Sequence, residues 1–239
     1  MGGVYTCCNH GLRYTGNMKV AANLSFMFGE AGGLLSRYRA ARNAGFLVVE
    51  CAFPYSVPAQ DVAAALQETG LKQVLINSDP GDTQAGELGF AAIPGKEVRF
   101  RESLERSISY AKTLGCHKLH IMSGRRSAEH DESAHVTTLE ANLRHAVSRL
   151  VEENITGLIE PINPVSIPGY FLNNYDTGHV QIAQAPHRHE PSCSGELDYV
   201  FIFSKLQEAG YSEYVGAEYT PSTSSSDSLQ WMDQCGLTF

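Results

Sequence analysis

The chain has 239 residues, 43% of them hydrophobic, which is enough for one well-buried core and is a common size for a single (β/α) barrel. Eighteen Lys and Arg against 26 Asp and Glu leave a formal charge of −8, which disfavours nucleic acid as a partner because that binding rests on phosphate neutralisation. No run approaches the ~20 apolar residues needed to span a bilayer, and none of the six cysteines forms a CxxC pair, which argues against a zinc or disulfide framework and for reduced thiols in the cytoplasm.

Residues 1–17 (MGGVYTCCNHGLRYTGN) have neither strand nor helix periodicity, and they lack the charged start and apolar block of a secretory signal. They are expected to form a disordered extension before a single domain over 18–239. Seven short, mostly apolar runs then read as strands buried on both faces: 19–26, 46–53, 72–77, 117–122, 156–162, 178–183 and 213–219. Amphipathic helices lie between them. Pro58 suits the first turn of a helix carrying Val62, Leu66 and Thr69. Phe100, Leu104, Ile108, Ala111 and Leu114 share one helical face. So do Leu139, Leu143, Val147 and Leu150, with Thr137 and Glu140 spaced as a capping box. A glycine follows the helix at Gly45, Gly70, Gly115 and Gly210, where a left-handed residue turns the chain into the next strand. Two further segments stand out. The loop 78–99 is long enough to be a lid or otherwise functional, and STSSSD at 222–227 reads as a flexible surface turn.

Alternating strands and helices predict an α/β fold, a TIM-type (β/α) barrel. A flavodoxin-like open sheet competes, but no strand is followed by a phosphate-cradling glycine fingerprint. A closed barrel needs eight strands, and the sequence supplies seven. Residues 161–178 (PINPVSIPGYFLNNYDTG) have the length of a crossover but no helical stripe. The barrel is therefore expected to be incomplete there, by a unit on the order of 40 residues. An irregular loop joining adjacent strands is the simpler alternative.

In such barrels chemistry sits at the C-terminal ends of strands. Glu160 and Glu218 share one layout there, an apolar run, then Glu, with proline soon after. Each alone reads most simply as a structural ion pair. Together, with Gln181 between them in chain order, they can bracket a divalent cation, and oxygen donors suit Mg²⁺ or Mn²⁺. His120 is a candidate substrate contact, against a plain hydrogen-bonded wall histidine. Arg188 is placed to clamp a substrate carboxylate, against a solvated loop. The HRHE run at 187–190 matches no zinc spacing, and Arg125 and Arg126 are expected on the surface.

MKVAANLSFMF, GFLVVECAFPY, LHIMSGR, GLIEPINPVSIPGYFL, GHVQIAQAPHRHEPSCSGELDY and YVGAEYTP together resemble the hydroxypyruvate isomerase family of xylose isomerase-like barrels, over most of residues 18–221. The resemblance implies that Glu160 and Glu218 are both catalytic and metal-binding and that Gln181 is a metal ligand. It also implies a small hydroxy-oxo acid as substrate. The family's reaction interconverts hydroxypyruvate and 2-hydroxy-3-oxopropanoate through a shared enediolate. The family's strand carrying an Asp ligand, in a motif like MDxFHxQ, is replaced here by NNYDT, and Asp176 is not its equivalent because no strand precedes it. The alternative function is thus a catalytically impaired, truncated barrel that binds a ligand or partner at most. An abasic-site endonuclease on the same scaffold would need a richer set of zinc histidines and a basic face.

Overall fold

The computed structural model describes residues 19–162, 166–172, 180–193, 195, 197–208, 211, 214–235 and 237. The expected extension 1–17, Gly210 and Asp176 lie outside these. Seven strands form one sheet: β1 (Lys19–Asn23), β2 (Val48–Cys51), β3 (Lys72–Asn77), β4 (Lys118–His120), β5 (Thr156–Leu158), β6 (Val180–Ile182) and β7 (Tyr214–Ala217). Every pairing is parallel, in the order β5-β4-β3-β2-β1-β7-β6. Parallel neighbours need crossovers, and from β1 to β5 these are helical: α1 (Leu34–Asn43), α2 (Ala59–Thr69), α3 (Glu97–Leu114) and α4 (Glu132–Glu152). Helix α5 (Tyr199–Glu208) links β6 to β7, and α6 (Trp231–Cys235) follows β7.

The pairing locates the irregularity. In a closed barrel the last strand pairs with the first, and here β7 does pair with β1, with Lys19 opposite Tyr214 and Ala22 opposite Ala217. The seam at the chain ends is therefore made. The outer edges are β5 and β6, which are consecutive in sequence and, among the described residues, carry no further strand. The expected gap falls between these two strands.

All seven predicted strands exist, most of them shorter than the apolar runs that announced them. Gly70 and Gly115 cap their helices at φ 67° and 61°, in the left-handed region a Cβ disfavours. Two expectations need correction. Helix α4 starts well before the Thr137–Glu140 box: Asp131 is its N-cap, accepting from the Ala134 N–H at 2.8 Å, and Thr137 lies within the helix, bonded to the Ser133 carbonyl. The serine-rich turn is anchored rather than flexible. Ser225 is fully buried, its Oγ accepts the Phe28 N–H at 2.6 Å, and Glu30 receives its backbone N–H at 3.1 Å.

The long loop before α3 is likewise held against the core. Phe90, Ala91 and Ala92 are buried, and Glu87 is paired with Arg99. On the far side, Trp231 is fully buried, stacks on Phe203 at 6.0 Å and donates to the Tyr219 hydroxyl at 3.0 Å. Cys51, Cys116, Cys193 and Cys235 are free thiols. Among the described residues, no helix is long and apolar enough to cross a membrane.

Candidate active site

Parallel strands all point the same way, so their C-terminal ends gather at one mouth. Glu160 follows β5, Gln181 lies on β6 and Glu218 follows β7. All three line a cavity of about 490 Å³, and Glu160 and Glu218 also line an adjoining one of about 480 Å³ that reaches Phe26, Asn77 and Leu88. Arg188 lines both cavities, on the loop after β6. Four residues picked from distant parts of the sequence thus converge on one cleft.

The electrostatics of the cleft are lopsided. The Glu218 carboxyl is pushed up to about 8, first by burial, then by the neighbouring Glu160 charge, with Glu50 adding to the rise. Arg188 opposes this, with a guanidinium nitrogen 3.0 Å from Glu218 Oε2. One arginine does not offset two further carboxylates and burial. Arg188 itself is held in a tight turn at φ 57°, a region that side chains other than glycine rarely adopt. Its N–H donates to the Gln184 carbonyl at 2.8 Å, and its carbonyl accepts from Thr220 at 2.8 Å. The guanidinium lies 4.7 Å above the Phe26 ring, and among the described residues its buried Nε–H has no acceptor. Strain of this kind persists only where surrounding contacts impose it, and here they hold Arg188 in the wall of both cavities.

His120 ends β4, within the strand the sequence suggested. It is buried with Nδ1 3.5 Å from Glu160 Oε2, and it lines neither cavity. The HRHE run supplies Arg188 and little else to the cleft: His189 Nδ1 lies 2.9 Å from the Thr220 carbonyl, and Glu190 is buried, accepting the Ser222 N–H at 2.9 Å. Among the described residues, no group of three or more His, Cys, Asp or Glu could hold a metal ion. Any cation here would depend on the Gln181 amide oxygen as well as the two glutamates.

Sequence reasoning passes over Glu50. It is buried in the middle of β2 and accepts hydrogen bonds from Asn23 at 3.0 Å and Gln181 at 2.8 Å. The signal was present: a carboxylate inside an apolar run is costly to bury without partners.

A curled parallel sheet with carboxylates at its C-terminal mouth defines a (β/α)-barrel enzyme, and the comparisons agree. A family model described as the xylose isomerase-like TIM barrel matches residues 38–177 and 170–235, and the chain belongs to that family. Within it, the chain is an isomerase of the hydroxypyruvate isomerase group. It is 34% identical to the hydroxypyruvate isomerase of Escherichia coli, with 90% of this chain and 98% of that protein covered. It is 36% identical to the 2-oxo-tetronate isomerase of Cupriavidus necator, covering 90% and 97%. A crystal structure from Brucella melitensis named AP endonuclease, family 2, superposes with a TM-score of 0.85 at 37% identity, covering 91% of this chain and 98% of that one.

The matches also bear on the gap. The alignment to the E. coli enzyme runs over 256 positions, more than the 239 residues available here, so this chain carries internal gaps against it. The family model matches in two pieces that meet at residues 170–177, between β5 and β6.

Proposed function

We propose that this isomerase is a cytoplasmic enzyme of carbohydrate metabolism that interconverts hydroxypyruvate and 2-hydroxy-3-oxopropanoate with the help of Mg²⁺ or Mn²⁺. The observation that carries the reading is the convergence of Glu160, Glu218 and Arg188 on one cleft. The donor set fits a hard divalent cation. Glu160, Glu218 and Gln181 offer oxygens, and the raised Glu218 carboxyl marks negative charge left uncompensated by Arg188. When bound, such a cation supplies polarisation of the substrate carbonyl.

The residues of the chain account for the remaining work. Arg188, which lines both cavities and carries the guanidinium charge, is suited to hold the substrate carboxylate. One glutamate takes a proton from the hydroxymethyl carbon, giving the enediolate shared by both isomers. The same proton, or one from the second glutamate, is delivered to the former carbonyl carbon, while a proton passes between the two oxygens. His120 keeps the Glu160 carboxylate in place during the exchange.

The name of the Brucella protein raises a nuclease reading, which two observations disfavour. The chain carries a charge of −8, and among the described residues no cluster of three or more His, Cys, Asp or Glu stands ready for metal.

Proton NMR of hydroxypyruvate incubated with the purified chain tests the proposal. With Mg²⁺ or Mn²⁺ the aldehyde product accumulates; with EDTA, Glu160→Gln or Glu218→Gln it falls by orders of magnitude. Near-normal turnover in either glutamine variant ends the two-glutamate mechanism. Turnover absent in this chain, but present when a strand-and-helix unit is inserted between β5 and β6, assigns the chain to an impaired, ligand-binding barrel.

A further inference from the structure

Beneath the two site glutamates lies a second polar layer that faces the barrel interior. Asn23 on β1 pairs with Glu50 on β2, and Gln181 on β6 pairs with Gly216 on β7. The β2–β3 register slips between Val49 and Glu50, an irregularity of the kind that re-aims a side chain. The Glu50 carboxylate occupies space left by Gly216: a Cβ there would come 2.4 Å from its Oε1. A buried carboxylate, a register slip and a glycine that makes room for it are a costly combination in a core strand. The partners of Glu50 suggest what it does.

A glutamine amide has two ends of nearly equal shape and opposite hydrogen-bonding character, so its orientation is set only by its neighbours. The neighbours here form a chain of fixed polarity. The Ser25 backbone N–H can only donate, and it donates to Asn23 Oδ1 at 3.0 Å. Asn23 Nδ2 therefore faces Glu50 and donates to its Oε1 at 3.0 Å. An ionised carboxylate can only accept, and the same oxygen receives Gln181 Nε2 at 2.8 Å. The amide nitrogen of Gln181 is thereby committed to Glu50, and its oxygen is left for the cleft it shares with Glu160 and Glu218.

We propose that Glu50 is a positioning residue, an acceptor-only carboxylate that locks the Gln181 amide with its oxygen presented to a divalent cation between Glu160 and Glu218. This rests on the metal reading above, and it adds the residue that makes an amide serve as a dependable ligand. Glu50 does not touch substrate. It acts through Gln181.

The test is Mn²⁺ binding, measured by calorimetric titration of the purified metal-free chain, with melting temperature in EDTA recorded for each variant. Glu50→Gln keeps the size of the side chain but can donate as well as accept, so Gln181 is free to flip. Its Mn²⁺ affinity should fall tenfold or more, the range seen when partners behind metal ligands are removed. The double variant Glu50→Gln with Gln181→Glu exchanges the two groups. The hydrogen bond between them is kept, and the residue at 181 now has an oxygen at both ends. Affinity should return, and because both group types are retained, this variant also covers a single variant that fails to fold. A Glu50→Gln protein that melts like wild type and binds Mn²⁺ equally well overturns the proposal while leaving the metal site intact. So does an exchange variant that folds but binds no better than Glu50→Gln. Wild type without Mn²⁺ binding overturns the metal reading and this inference with it.

Discussion

Replacing Glu218 by glutamine should make the metal-free protein more stable above neutral pH while removing its activity. The wild-type carboxyl is raised from 4.5 to about 8 in the fold, chiefly by burial and then by the Glu160 charge. In the unfolded chain it ionises near its ordinary value, so the folded state holds its proton longer. The resulting cost to the fold is absent below about pH 4.5, grows as the pH rises and is complete above about 8. Each tenfold change in the ionisation constant corresponds to about 1.4 kcal/mol, and charge shared with Glu160 and Arg188 reduces the total to on the order of a few kcal/mol. Glutamine never ionises and escapes this cost. At about 2–4 °C per kcal/mol for a chain of this size, the Tm advantage of Glu218→Gln over wild type in EDTA should be several degrees at pH 8.5 and close to nothing at pH 5. Added Mg²⁺ or Mn²⁺ should close the difference by stabilising wild type alone, since a ligand bound only by the native state raises its stability. Melting curves for the two proteins that stay parallel from pH 5 to 9 would refute the reasoning.

Arg188→Ala should raise KM for hydroxypyruvate by about 10–100-fold with a smaller effect on kcat, because a charge-assisted hydrogen bond to a carboxylate is worth ~1.5–3 kcal/mol; steady-state kinetics checks this, and a change confined to kcat would remove the clamp role. Trp231→Ala should cost ~3–5 kcal/mol by denaturant unfolding, since the indole is fully buried against Phe203 and Tyr219; a loss below about 1 kcal/mol would mean that α6 is not part of the cooperative core. Inserting a family-like strand and helix between β5 and β6 should raise Tm and reduce binding of a hydrophobic dye, and equal values in the two proteins would show that the native connection closes the barrel unaided.

The fold was legible because buried parallel strands are nearly continuous apolar runs, and β3 matches its run of 72–77 end to end. Elsewhere the strands are shorter than their runs, because a strand ends where its neighbour's ladder ends, and the neighbour is not written locally. The candidate cleft was legible where a glutamate interrupts an apolar run at its C-terminal end, as at 160 and 218. Glu50 escapes notice because it sits within its run rather than after it, and its partners Asn23 and Gln181 come from strands far away in sequence. The turn around Ser225 misleads for a related reason. Serine-rich composition is a local property, whereas its burial depends on Phe28, 197 residues earlier.

The gap between β5 and β6 has a counterpart in the apolar surface. Among the described residues, the large exposed hydrophobics other than Leu47 and Val98 fall on α4, on α5 or in the stretch that joins them. Val147 and Val151 lie four apart on one face of α4, the helix before β5, and Val151 is 72% exposed. Val200 and Phe201 lie on α5, the helix after β6, and Phe201 is 58% exposed. Single exposed apolar residues are ordinary, but these lie on the two helices that flank β5 and β6 in the chain. In a complete barrel, the ring of helices would place another helix between α4 and α5. Strand position also separates the two candidate glutamates. Glu218 follows β7, which is paired on both sides, and its side chain is only 16% exposed, whereas Glu160 follows the edge strand β5 and is 39% exposed. A carboxylate in contact with water is screened and pairs weakly with a cation, so an added β/α unit would strengthen the site by drying Glu160 as well as by closing the sheet.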